Sequence, residues 1–260
     1  MLADETVLAD ENLAVTVSAG VELSGVLRPV REGNAFEETV ERLLTVIKLG
    51  LVAPGERFPP ERELAAQLGI SRLTLREAIR ELQEACYVTS RRGRLGGTFV
   101  TYTRPAPNVA DLRRLATEHG ERLTDALTFR FAVETGAADM LAQQVAAAVG
   151  EPPARGPLLA RLAEVNGASP ADYRRLDTLF HLSIAELTGS CLLSAACTDA
   201  RMRLNDLLNA IPVLKPNIAH AAAQHAAIVD AILAGEADRA RTAVAEHLAG
   251  TGALLRGFLG

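Results

Sequence analysis

Between Phe36 and Leu49 the apolar positions Phe36, Val40, Leu43, Leu44, Ile47 and Leu49 recur at helical spacing. Gly50 and then Pro54-Gly55 stop that helix, and Glu56-Arg57-Phe58 is a short strand candidate closed by Pro59-Pro60. Pro60 suits the start of a helix, where its missing N–H leaves nothing unpaired, so the pattern predicts a helix over Glu61 to Leu68 ended by Gly69. Ser71 is a good N-cap for a further helix from Arg72 to Ala85, with Leu75, Ile79 and Leu82 as its buried stripe. A strand over Tyr87 to Ser90, a turn over Arg91 to Gly97 and a returning strand over Thr98 to Tyr102 follow. Helix, short strand, helix, tight turn, helix and hairpin together predict a winged helix-turn-helix over residues 35–102.

Residues 103–107 contain Pro105 and Pro107 and are expected to be a linker. Residues 108–260 are almost wholly helical in pattern, with segments near Val109 to His119, Glu121 to Val149, Leu158 to Asn166, Ala171 to Leu187, Cys191 to Ala210, Ala219 to Ala234 and Ala237 to Phe258. The predicted fold is therefore mainly α: an N-terminal winged helix-turn-helix followed by an all-α bundle of six or seven helices. Residues 1–34 show no sustained period and are expected to be a disordered extension, with one short strand near Val15 to Leu23.

Composition changes this picture little. Aromatic residues make up 4% of the 260 and Trp is absent, so the cores must be built from Leu, Ala, Val and Ile, which favours helices. No apolar run approaches the length that spans a bilayer, and the acidic start of the chain does not read as a signal peptide. Cys86, Cys191 and Cys197 lack C-x-x-C spacing and suggest reduced thiols in a cytoplasmic protein. The net charge of −5 argues against nucleic-acid binding until it is divided. Between Phe36 and Pro105 there are 11 basic residues against 9 glutamates, a local charge of +2, which leaves −7 on the rest. What a phosphate meets is the local field.

Pro59-Pro60-Glu61-Arg62-Glu63-Leu64-Ala65-Ala66-Gln67-Leu68-Gly69-Ile70-Ser71-Arg72-Leu73-Thr74-Leu75-Arg76-Glu77-Ala78-Ile79-Arg80-Glu81-Leu82, with the wing Arg91-Arg92-Gly93-Arg94-Leu95-Gly96-Gly97-Thr98-Phe99-Val100, resembles the GntR family of bacterial regulators. The chemistry agrees. The leading end of the second helix in such a unit enters the major groove, where arginine makes bidentate contacts to guanine. Arg72, Thr74 and Arg76 lie in the first turn and a half, behind Ser71, and Arg62 is placed to reach the same groove edge or a phosphate. Gly96 and Gly97 permit a tight hairpin, and Arg92 and Arg94 give it charge for the minor groove. Leu73 and Leu75 depart from the Thr and Pro common in the family, which blurs which bases are read.

The all-helical second half resembles the FadR-type, or FCD, subgroup. Leu176-Asp177-Thr178-Leu179-Phe180-His181, Gln224-His225-Ala226-Ala227-Ile228 and Ala243-Val244-Ala245-Glu246-His247-Leu248 are similar to its three histidine helices, and Arg130 and Glu134 to its early Arg-x-x-x-Glu helix. Asp177 and His181, at i and i+4, share one helix face. Joined by His225 and His247 from two other helices, they make a candidate site for zinc, nickel or manganese with positions open to water or ligand. His220 is five residues before His225 and is expected to point off that face. Arg130 either pairs with an effector carboxylate or forms a structural ion pair with Glu134. The resemblance implies a homodimeric regulator of operator DNA, most often a repressor, controlled by a small organic acid at the metal. An enzyme is the weaker reading, because no H-E-x-x-H or comparable motif accompanies the candidate site.

Overall fold

A computed structural model describes residues 16–17, 21–22, 27, 29, 35–93, 96–103, 109–211, 213 and 215–259. Near the start, β1 (Thr16–Val17) pairs antiparallel with β2 (Val21–Glu22) where the sequence suggested one strand, and Leu27 is buried in the core. The N-terminal unit then runs α1 (Ala35–Lys48), α2 (Glu61–Leu68), α3 (Arg72–Glu84), β3 (Val88–Arg91) and β4 (Gly97–Val100). Leu43, Val46 and Ile47 of α1 and Leu75, Ala78, Ile79 and Leu82 of α3 are the apolar stripes that close this unit. β3 and β4 form an antiparallel hairpin with Val88 opposite Val100 and Arg91 opposite Gly97. The predicted strand at residues 56–58 reduces to a bridge between Arg57 and Phe99, flanked by the Phe58 N–H donating to the Thr98 carbonyl at 2.9 Å.

Six helices follow among the described residues: α4 (Val109–Ala147), α5 (Arg155–Asn166), α6 (Tyr173–Leu187), α7 (Cys191–Ala210), α8 (Lys215–Leu233) and α9 (Ala237–Leu259). The break expected at Gly120 does not occur. One glycine weakens a helix by about 1 kcal/mol without removing a hydrogen bond, and α4 runs through it for 39 residues. The predicted helix bounds at residues 158, 171 and 219 each shift by two to four residues, since α5, α6 and α8 begin at Arg155, Tyr173 and Lys215. α4 is the spine of the bundle and packs against α6, α7, α8 and α9. Its buried stripe is Leu123, Ala126, Ala137, Ala138, Leu141, Ala142 and Val145, and Arg130 and Glu134 take two places within that stripe. A smaller apolar cluster of Leu123, Ala126, Leu204, Leu207, Leu208, Ile211 and Leu255 ties the ends of α4, α7 and α9 together. Among the described residues no helix is long and apolar enough to cross a membrane.

The two parts of the chain touch where α1 ends. Leu49 and the α6 and α7 residues Asp177, Thr178 and Arg201 line one small void. Gly50, at φ 72°, lies so close to α6 that a β-carbon on it would stand 3.0 Å from Arg175 Cγ. α1 also faces α7 across an open cleft of about 660 Å³ bordered by Val40, Leu44, Thr198, Asp199 and Met202.

Candidate functional site

Asp177 and His181 project from α6, His225 from α8 and His247 from α9, and one ligand atom from each lies within 4.8 Å of the others. The three histidines are buried and Asp177 is half-buried, its side chain 14% exposed. His181 Nε2 stands 3.1 Å from His247 Nε2, and Asp177 Oδ1 is 3.4 Å from His225 Nε2 and 3.9 Å from His181 Nε2. The four candidates, from three separate stretches of sequence, thus lie together, Asp177 and His181 on one face of α6 as their spacing suggested.

The surrounding contacts decide which ring nitrogens are free. His181 Nδ1 lies 2.8 Å from the carboxylate oxygen Glu134 Oε2 and His247 Nδ1 is 3.0 Å from Gln224 Oε1; both oxygens are acceptors only, which favours the proton on Nδ1 of each ring. Burial, with Arg201 adding to it, lowers His181 to about 4 despite Glu134 and Asp177. Burial, then His181 and His225, holds His247 well below the ordinary imidazole value. The two rings are therefore neutral at pH 7 with Nε2 lone pairs facing each other. That arrangement is repulsive unless a cation lies between them. Both ring nitrogens of His225 are buried without a hydrogen-bond partner. Three imidazoles and one carboxylate, with one ligand atom each within 4.8 Å of the others and both His225 nitrogens orphaned, fit a divalent transition metal.

A charged network backs the cluster. Glu134 Oε1 accepts from Arg130 Nε at 2.8 Å and lies 3.3 Å from Arg201 Nε, while Arg201 Nη1 donates to Asp177 Oδ2 at 3.1 Å. Burial by itself would raise both carboxyls, but Arg130, Arg201 and His181 hold Glu134 well below the usual carboxylate range. Arg201 first, and then the neighbouring His225 and His181, do the same for Asp177. Of the two alternatives for Arg130, the ion pair with Glu134 is present through Nε, while its buried Nη1 has no hydrogen-bond partner. Arg130 also borders a cavity of about 560 Å³ whose wall includes Asp177, His247, Arg201, Tyr173 and Arg174. His220, expected to point away, lines the same cavity, because the cavity wall is wider than the face that bears His225. Arg201 and Tyr173 were not singled out in the sequence. Arg201 lies in helical phase with the apolar Cys197, Leu204 and Leu208, and an arginine inside an apolar stripe is the signal that marks it.

In the N-terminal unit, α3 begins at the surface. Ser71 caps it by accepting from the Thr74 N–H at 3.0 Å, and its hydroxyl also meets Thr74 Oγ1 at 2.9 Å. Ser71 is thus engaged in capping and Thr74 is half-buried, whereas Arg62, Arg72 and Arg76 are exposed. Glu61 lies between the last two, with Oε2 at 2.7 Å from Arg76 Nε and 4.0 Å from Arg72 Nη2. In the wing Arg92 is exposed, and Arg94 lies outside the described residues. Gly96 accepts a hydrogen bond on its carbonyl from Arg57 Nη1 at 3.1 Å. Gly97, at φ 147°, leaves room for Arg57, whose Cδ would stand 2.5 Å from a β-carbon there. Arg57 therefore buttresses the hairpin, a role that its sequence position did not reveal.

Residues 36–100 match the family described as bacterial regulatory proteins, gntR family, and residues 125–250 match the FCD domain. A protein of Mycobacterium gastri, named as the HTH-type transcriptional regulator RmpR, is 30% identical over 86% of this chain and 81% of its own length. A protein of Escherichia coli K12, named as an L-lactate dehydrogenase operon regulatory protein, is 29% identical over 82% of this chain and 83% of its own. Among solved structures, Escherichia coli McbR/YncC superposes with a TM-score of 0.46 at 18% identity, covering 86% of this chain and 98% of that one.

Proposed function

Because the chain belongs to the GntR family of bacterial regulatory proteins and carries an FCD domain, making it a transcriptional regulator, we propose that it is a homodimeric repressor released from operator DNA by a small organic acid. Arg62, Arg72, Thr74 and Arg76 face the major groove, with Ser71 fixing the helix start, and Arg92, Arg94, Gly96 and Gly97 form the wing against the minor groove. Asp177, His181, His225 and His247 hold a divalent zinc, nickel or manganese ion. When bound, that ion polarises a carboxylate oxygen of the effector and offsets its charge. Arg130 takes the same carboxylate with its free Nη1, while Glu134 keeps the guanidinium in place through Nε.

One observation carries this reading: His181 and His247 bring their Nε2 atoms to 3.1 Å in a cluster whose members Asp177 and His247 line a cavity, and that cavity is also bordered by Arg130, whose buried Nη1 is unpaired. The name of the Escherichia coli relative, which links that protein to an L-lactate dehydrogenase operon, supports an organic acid as the chemistry sensed. The test follows release of the full-length protein from its own upstream DNA while a panel of carboxylates is added, with metal content measured in parallel. Wild type should carry stoichiometric metal and respond to at least one acid. His181→Ala with His225→Ala should lose both the metal and the response while still binding DNA. Full metal content in that double variant, or a wild type indifferent to every acid, would overturn the sensor reading.

A further inference from the structure

Leu73 is 69% exposed on a helix whose other leucines, Leu75 and Leu82, are buried. At 3.6 residues per turn it stands roughly 160° around α3 from Leu75, facing away from the core. Its helical neighbours on that side are Arg72, Arg76, Glu77 and Arg80, all exposed. Neither apolar cluster among the described residues includes it. Burying a leucine stabilises whatever complex achieves it, and here a partner also covers three arginines, of which Arg72 and Arg76 share the single carboxylate of Glu61 and Arg80 lies 4.0 Å from Glu84. A second protein chain of ordinary apolar surface would strip water from those charges and return nothing for it. The major groove matches them with phosphates and guanine edges, and it offers one apolar group on its base edges, the C5 methyl of thymine.

We propose that Leu73 is a base-reading residue that packs against a thymine methyl in each half-site, beside the guanine contacted by Arg72 or Arg76. The inference rests on the operator-binding reading above and adds a specificity determinant to it. Ser71 supports the placement, because its cap fixes the first turn of α3 and with it the direction in which Leu73 leaves the helix.

The experiment selects a duplex from a random-sequence pool with the full-length wild-type protein. Each thymine of that duplex is then replaced singly by deoxyuridine, which lacks only the methyl, and the dissociation constant is measured at fixed salt. One thymine per half-site should show weakening of about fourfold, the factor that burying one methyl-sized group contributes. Leu73→Ala should be indifferent to the methyl at that position, and Leu73→Met should keep the dependence. Wild type binding every uracil duplex like its thymine parent would overturn the inference while leaving operator binding intact. So would an unchanged uracil penalty in Leu73→Ala. Should Leu73→Ala fail to bind any duplex, the wild-type scan and Leu73→Met decide the matter alone. Recovery of no sequence by wild type would instead overturn the operator reading itself, and this inference with it.

Discussion

Cys86 holds a left-handed backbone, φ 63°, at the position after the α3 C-terminus where glycine is usual. The Cys86 N–H donates to the Gln83 carbonyl at 3.0 Å and the Tyr87 N–H to the Leu82 carbonyl at 2.8 Å, which closes the helix and turns the chain into β3. A side chain in that conformation costs roughly 1–2 kcal/mol, and glycine forfeits part of the gain through its freer unfolded chain. Cys86→Gly should therefore raise unfolding stability by up to about 1 kcal/mol, and Cys86→Val should lower it, both read by urea denaturation. Legibility at this scale followed spacing. Asp177 and His181 were readable because four residues return a helix to the same face. Arg201 was less so, since its partners Glu134 and Asp177 are far away in sequence and only its helical phase with Cys197, Leu204 and Leu208 marks it. Cys86 gave no signal, because left-handed geometry is written in the turn and not in the residue type.

Among the elements, the winged unit was legible nearly residue by residue, because proline, glycine and a serine cap punctuate it. α2 spans Glu61–Leu68 as its flanking residues required. The bundle was less legible at its joints. α4 ignores Gly120, and also Gly136, which is exposed and has open space where a β-carbon would go. Tertiary packing of the α4 stripe outweighs a propensity deficit of about 1 kcal/mol per glycine. Gly136→Ala should remove that deficit and raise the thermal midpoint by about 2–4 °C. A lowered midpoint would mean that this face of α4 is closely packed by a partner chain.

For the molecule as a whole, the buried charge cluster sets a pH limit. His181 titrates at about 4 in the folded protein against an ordinary 6.5, with burial first and Arg201 second as the causes. As pH falls through 6.5 the unfolded chain takes up a proton that the folded chain refuses, so the stability present above 6.5 is lost progressively down to about 4. That single group removes about 3 kcal/mol over the interval, and His247 acts in the same direction. Protein stripped of metal by a chelator should accordingly show a steadily falling midpoint between pH 6.5 and 4 in calorimetry. A flat profile would mean that the cluster opens to water without unfolding.

The close approach of Gly50 to Arg175 has a mechanical meaning. The turn leaving α1 rests on the first turn of α6, two residues from Asp177, against the stem of the Arg175 side chain. A β-carbon at position 50 would meet both a left-handed backbone, φ 72°, and that stem. Gly50→Ala should therefore lower the thermal midpoint, and an unchanged midpoint would mean that the arginine stem swings aside and the seam between the two units gives way.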